Sequence, residues 1–171
     1  MYPGIFGDDR LLMPARRGFR GAGIESGIYN VDWERVPVLG TFDNLVDEAG
    51  NRHRAQKLAE QVTAYRRTYP QAPIDLVAYS GGAGLLVMTI EALPDDVFIR
   101  HTLLVQGALS PTYDLTDCLE HIDGTLVNLY CPTDWLFLGA GTQVMGTTDR
   151  VHTASTGKVA SIWRRACLTP R

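Results

Sequence analysis

Positive charge is in short supply in this chain: 16 Lys and Arg face 19 Asp and Glu, for a formal net charge of −3. Such a balance provides none of the clustered cationic surface that nucleic-acid phosphates or anionic membranes require. The pairs Arg16-Arg17 and Arg164-Arg165 are too short to supply one and read as solvated faces. Cysteine is scarce as well. Cys118, Cys131 and Cys167 have no metal-ligand spacing, and three thiols cannot all pair within one chain. Neither a disulfide framework nor a metal site is expected, and a reducing compartment is the simpler reading. No apolar run reaches the ~18 residues of a membrane span, and Met1-Tyr2-Pro3-Gly4 lacks the basic and apolar stretches of a signal peptide. The expectation is a cytoplasmic protein with no membrane and no nucleic acid among its partners. Repeats, low-complexity tracts and long linkers are missing too, which leaves residues 1–171 as a single domain large enough to bury one apolar core.

What the chain does contain is an alternation of short apolar runs and helical periodicities, the pattern of an α/β fold with a mostly parallel sheet. Leu11, Leu12, Ala15 and Phe19 are spaced for a helix over Arg10 to Arg20, and glycines then lead into a strand over Ile28 to Trp33. Ala55, Leu58, Ala59, Val62 and Tyr65 recur every three or four positions, predicting a helix from Arg52 to Tyr69 that Pro70 and Pro73 end. Ile74 to Ala78 reads as a buried strand, and Leu85 to Leu93 as an apolar helix covered by the sheet. His101 to Gln106 and Thr125 to Tyr130 are two more strands. Leu115 to Ile122 between them is a helix that Thr112 or Asp114 would cap.

The chemistry concentrates where the first buried strand meets its helix. A serine hydroxyl attacks poorly at neutral pH unless a base removes its proton and donors stabilise the oxyanion that forms. Ser80-Gly81-Gly82-Ala83-Gly84, directly after an apolar strand and before an apolar helix, has the strand, sharp turn and helix order of a nucleophile elbow. Ala78 and Gly82 are small enough to let strand and helix cross closely beneath Ser80. The Gly81 N–H, at the helix start, would face an oxyanion with the helix dipole behind it. Two plainer readings stand beside this one. Ser80 serves equally well as a helix N-cap in a glycine-rich turn. Gly82-Ala83-Gly84 also permits a nucleotide-binding turn, but Val87 stands where the dinucleotide fingerprint needs Gly or Ala, and no phosphate-loop Lys follows.

In its order of motifs the chain resembles the α/β-hydrolase superfamily over nearly its whole length, with A-x-S-x-G at Ala78 to Gly82 in place of G-x-S-x-G. The resemblance implies an incomplete α/β-hydrolase core with helices on both faces of the sheet. It also implies a serine hydrolase that cleaves an ester or related acyl bond in a small-molecule substrate, with no cofactor. Pro3-Gly4-Ile5-Phe6-Gly7 looks like the family's oxyanion loop, making the Ile5 N–H a second donor beside Gly81; an ordinary turn explains the same residues. Leu126 to Asp134 resembles the late strand followed by the catalytic acid, so Asp134 would orient the base; an N-cap before Trp135 is the alternative. Gly107 to Asp114 corresponds to a loop that shapes the site.

The family order places the base after the acid, and among His53, His101, His121 and His152 only His152 follows Asp134. It comes soon after the acid, and an exposed loop histidine is the competing reading. Almost nothing precedes Pro3-Gly4 to form a strand, and Trp163 to Arg171 does not read as a final strand and helix. The sequence therefore also fits a truncated hydrolase lacking its histidine, or a hydrolase-like binding domain without catalysis.

Overall fold

A computed structural model describes residues 1, 9–31, 48–130 and 156. Within these residues three strands, β1 (Asp75–Tyr79), β2 (Ile99–Val105) and β3 (Ile122–Leu129), form one parallel sheet in the order β1-β2-β3. Among the described residues, four helices stand with them, α1 (Asp9–Gly21), α2 (Glu48–Thr68), α3 (Gly82–Glu91) and α4 (Thr116–Glu120). This is the α/β class that the alternating pattern predicts. Parallel neighbours need a crossover between them, and α3 and α4 supply the two crossovers.

The second crossover is shorter than its apolar spacing suggests. The helix expected over Leu115 to Ile122 ends at Glu120, and Ile122 opens β3. His121 makes the change of direction, its Nδ1 lying 3.1 Å from the Val97 carbonyl oxygen while the Ile99 N–H donates to its own carbonyl. Neither Thr112 nor Asp114 takes the cap position anticipated for α4: Leu115 is the N-cap and no side chain caps the helix, while one residue earlier the Asp114 carboxylate accepts from the Thr116 N–H at 2.9 Å and from the Thr116 hydroxyl at 2.6 Å. Those bonds hold the Asp114 carboxyl below its usual pKa.

The strand expected from Ile28 does not form over residues 28–31. Among the described residues, the Met1 amine donates to Tyr29 O and the Val31 N–H donates to Met1 O. Trp33 and the rest of that run lie outside the described residues.

The core lies on one face of the sheet. Along β1 and β2, Leu76, Ala78, Thr102 and Leu104 point to that face and are buried, as period-two alternation requires. Against them packs α3, whose residues from Gly82 to Ile90 are all buried. A helix that is apolar all round needs cover all round, and α2 supplies the rest through Ala55, Leu58 and Ala59. The opposite face carries Val77, Leu103 and Val105, half-buried, with Val127 and Leu129 exposed on β3. No helix among the described residues is long and apolar enough to cross a membrane.

Candidate functional site

The register sets Tyr79, Val105 and Leu129 side by side, so Ser80, Gln106 and Tyr130 emerge together from the carboxyl end of the sheet. Crevices at this end are where open α/β sheets bind ligands. The ladder continues one rung past the strands, with Ser80 N–H donating to Val105 O at 2.9 Å and Gln106 N–H donating to Leu129 O at 2.8 Å. At that rung both residues turn into the left-handed region, Ser80 at φ 53° and Gln106 at φ 48°. They are the described non-glycine residues with positive φ. Such backbone costs on the order of 1 kcal/mol or more and persists only where the surroundings impose it.

The surroundings of Ser80 do impose it. Its carbonyl accepts from the Ala83 N–H and the Ala108 N–H, both at 3.0 Å, so every backbone hydrogen-bonding group of Ser80 is used. The turn is sharp because Gly81 is already in the right-handed helical region, at φ −59° and ψ −28°, and caps α3 with no side-chain bond. The N-cap reading of Ser80 is therefore corrected. Its hydroxyl does not bond the helix amides and has no hydrogen-bond partner among the described residues. Ser80 is half-buried, so that hydroxyl is neither solvated like a surface serine nor consumed by the fold. Gly81 donates its N–H to no described acceptor, which keeps it free to meet a developing negative charge.

Gly107 explains how the loop after β2 comes so near. A Cβ on Gly107 would lie 3.0 Å from the Ala83 Cβ and 3.0 Å from the Thr156 Oγ1, so only glycine fits between the elbow helix and Thr156 without displacement. Within Gly107 to Asp114, the contact with the serine turn is the Ala108 N–H bond to the Ser80 carbonyl. Gln106 and Thr156 were not singled out by the sequence. Gln106 had one available signal, the Gln-Gly step at the end of an apolar run; Thr156 had none, because its contacts span 28 to 49 residues of chain.

Ile5, Asp134 and His152 lie outside the described residues. The described histidines do not converge on Ser80. His101 pairs in register with Asp75, five residues back along β1, or about 16 Å at the rise of a strand. His121 precedes β3 at the same far end and is buried against Val97, and His53 is exposed on α2. Cys118 is no rival nucleophile, since burial pushes its thiol far above its ordinary value. A shallow groove of about 550 Å³ runs between α2 and Ala92 to Pro94, lined by Gln56, Glu60, Thr63 and Arg67 among others. It contains none of the residues at the Ser80 turn. No group of three or more His, Cys, Asp or Glu among the described residues is placed to hold a metal.

Fold and site together define a class: a parallel α/β domain with a strained serine at the turn from strand to buried helix. Compared with known proteins, the chain matches no family model, no curated protein and no solved structure.

Proposed function

We propose that the chain is a serine hydrolase of α/β-hydrolase type, cleaving an ester or related acyl bond of a small-molecule substrate. The observation that carries the reading is the left-handed backbone of Ser80 at the carboxyl end of the sheet, with its hydroxyl left unused among the described residues. Strain of this kind collects at sites where a side chain must be presented rather than packed. In the proposed reaction the Ser80 Oγ attacks the acyl carbon, and its proton passes to His152. That proton then leaves with the alcohol, and water completes the turnover by the reverse path. Asp134 orients the imidazole, while the N–H groups of Gly81 and Ile5 hold the oxyanion. A cytoplasmic location fits the composition and belongs to the same proposal.

Hydrolysis of short-chain p-nitrophenyl esters tests it. Ser80→Ala should remove turnover, His152→Ala should lower it by at least about a hundredfold, and Asp134→Asn should lower it while leaving KM unchanged. Turnover in Ser80→Ala equal to wild type contradicts the reading.

A second reading, a hydrolase-like binding domain without catalysis, is favoured by the placement of His101 and His121 at the opposite end of the sheet. It is distinguished by a folded wild-type protein that turns over none of these esters.

A further inference from the structure

One residue bridges the segment after β2 and the end of β3. Thr156 is fully buried, and each of its polar groups is engaged. Its hydroxyl donates to Gly107 O at 3.0 Å, its N–H donates to Leu109 O at 2.8 Å, and its carbonyl accepts from the Asn128 Nδ2 of β3 at 3.1 Å. The two carbonyls it grips flank Ala108, and the Ala108 N–H is bonded on the other side to the Ser80 carbonyl. The segment 107–109 is thus held from both edges, with Thr156 on one and the strained serine on the other. Gly107 sets the spacing, since its missing side chain is what lets Thr156 Oγ1 and Ala83 approach.

We propose that Thr156 is the positioning residue of the Ser80 turn, holding segment 107–109 so that Ala108 keeps the Ser80 backbone in its left-handed conformation. This rests on the hydrolase reading for its consequence in catalysis, but the mechanical claim is independent of it. A strained residue relaxes when its restraint loosens. Relaxation of the Ser80 backbone would swing the hydroxyl away from an attacking position, and displacements near 1 Å can cost about a hundredfold in rate. Thr156 itself touches no reacting atom in this arrangement.

The test uses the full chain with Thr156→Val, which keeps the shape and removes the donor, and Thr156→Ser, which keeps the donor. Amide hydrogen exchange at Ala108 is the primary readout. Exchange in Thr156→Val should rise by about fivefold, the size expected when one hydrogen bond is lost from a local closing equilibrium, and Thr156→Ser should restore protection. The α3 amides should stay as protected as in wild type. If Thr156→Val proves too unstable to purify, Gly107→Ala separates the same three groups from the other side and should raise Ala108 exchange likewise. On p-nitrophenyl esters, Thr156→Val should lower kcat with KM little changed, and Thr156→Ser should recover it. Wild-type protection at Ala108 in a folded Thr156→Val or Gly107→Ala variant overturns the proposal. A wild-type chain that turns over no ester removes the hydrolase reading instead, and the exchange result then decides the clamp by itself.

Discussion

The two ends of the sheet treat polar side chains in opposite ways. At the amino end they are consumed by structure. Asp75 and Arg100 form a two-pronged ion pair across β1 and β2, and the Arg100 hydrogen bonds hold the Asp75 carboxyl below its ordinary pKa. Arg66 ties the end of α2 to the carbonyls of Pro70, Ala72 and Phe98, while His121 contacts Val97 and His101 accepts from the Thr125 N–H. At the carboxyl end the Ser80 backbone is fully bonded and strained, and its hydroxyl is left over. Polar groups that complete a fold are expected to affect stability when removed. A side chain spared by a strained backbone is expected to affect chemistry.

The sharpest break of this comparison comes from glycine substitutions at the two ends. A Cβ on Gly124 would fall 2.2 Å from the Arg100 carbonyl oxygen and 2.7 Å from the His101 ring. Gly124→Ala should therefore cost about 3 kcal/mol, read as a shift in the urea midpoint at unchanged m-value, while the folded fraction keeps its Ser80 reactivity. Should Gly124→Ala leave the midpoint unchanged, the close packing of β2 and β3 described here would be wrong.

Next in size is the relief of strain at Ser80. Ser80→Gly should raise stability by about 1 kcal/mol, because glycine adopts the left-handed region without the Cβ penalty, and it should abolish any ester turnover. A loss of stability in that variant would mean that the serine is placed for packing and not held under strain.

The smallest effect concerns pH. Burial raises the Glu91 carboxyl above its ordinary value of 4.5, against the opposing hydrogen bond from the Tyr113 hydroxyl. A raised folded pKa means that the folded state prefers the neutral acid. The stability this contributes is complete below the unfolded value and is lost as pH rises through the folded one. Replacing Glu91 by Gln should thus stabilise the protein more at pH 7 than at pH 4, a difference that thermal melts at the two values will show. Asp75 has the opposite sign: its contribution is present above the unfolded value of 3.8 and disappears as pH falls through its lowered folded value. Asp75→Asn should narrow the gap between neutral and acid melting temperatures.

Local pattern made much of this legible before the fold was seen. The buried strand, the glycine-rich turn and the apolar helix after Ser80 are encoded within about 20 residues of chain, and all three form with bounds close to those expected. The bonds from Thr116 to Asp114 are equally local. The shortened α4 was not legible, because Ile122 fits the apolar spacing of a helix as well as the first position of β3, and only pairing with Ile99 decides between them. Ile28 to Trp33 misled for the converse reason, since β-propensity alone does not make residues 28–31 a strand. At the site, the role of Ser80 as a turn was readable but its strain was not. That strain is set by Val105, Ala108 and, through segment 107–109, Thr156, all far away in sequence.

The central claim is that Ser80 is presented for nucleophilic attack, and active-site-directed labelling reads it directly. A fluorophosphonate incubated with the full-length chain, followed by peptide mass spectrometry, should place the adduct on Ser80. The rate should rise as an imidazole loses its proton near pH ~6.5, and no label should appear in Ser80→Ala. Equal labelling of wild type and Ser80→Ala, or a folded wild-type chain that takes up no label at all, would contradict it.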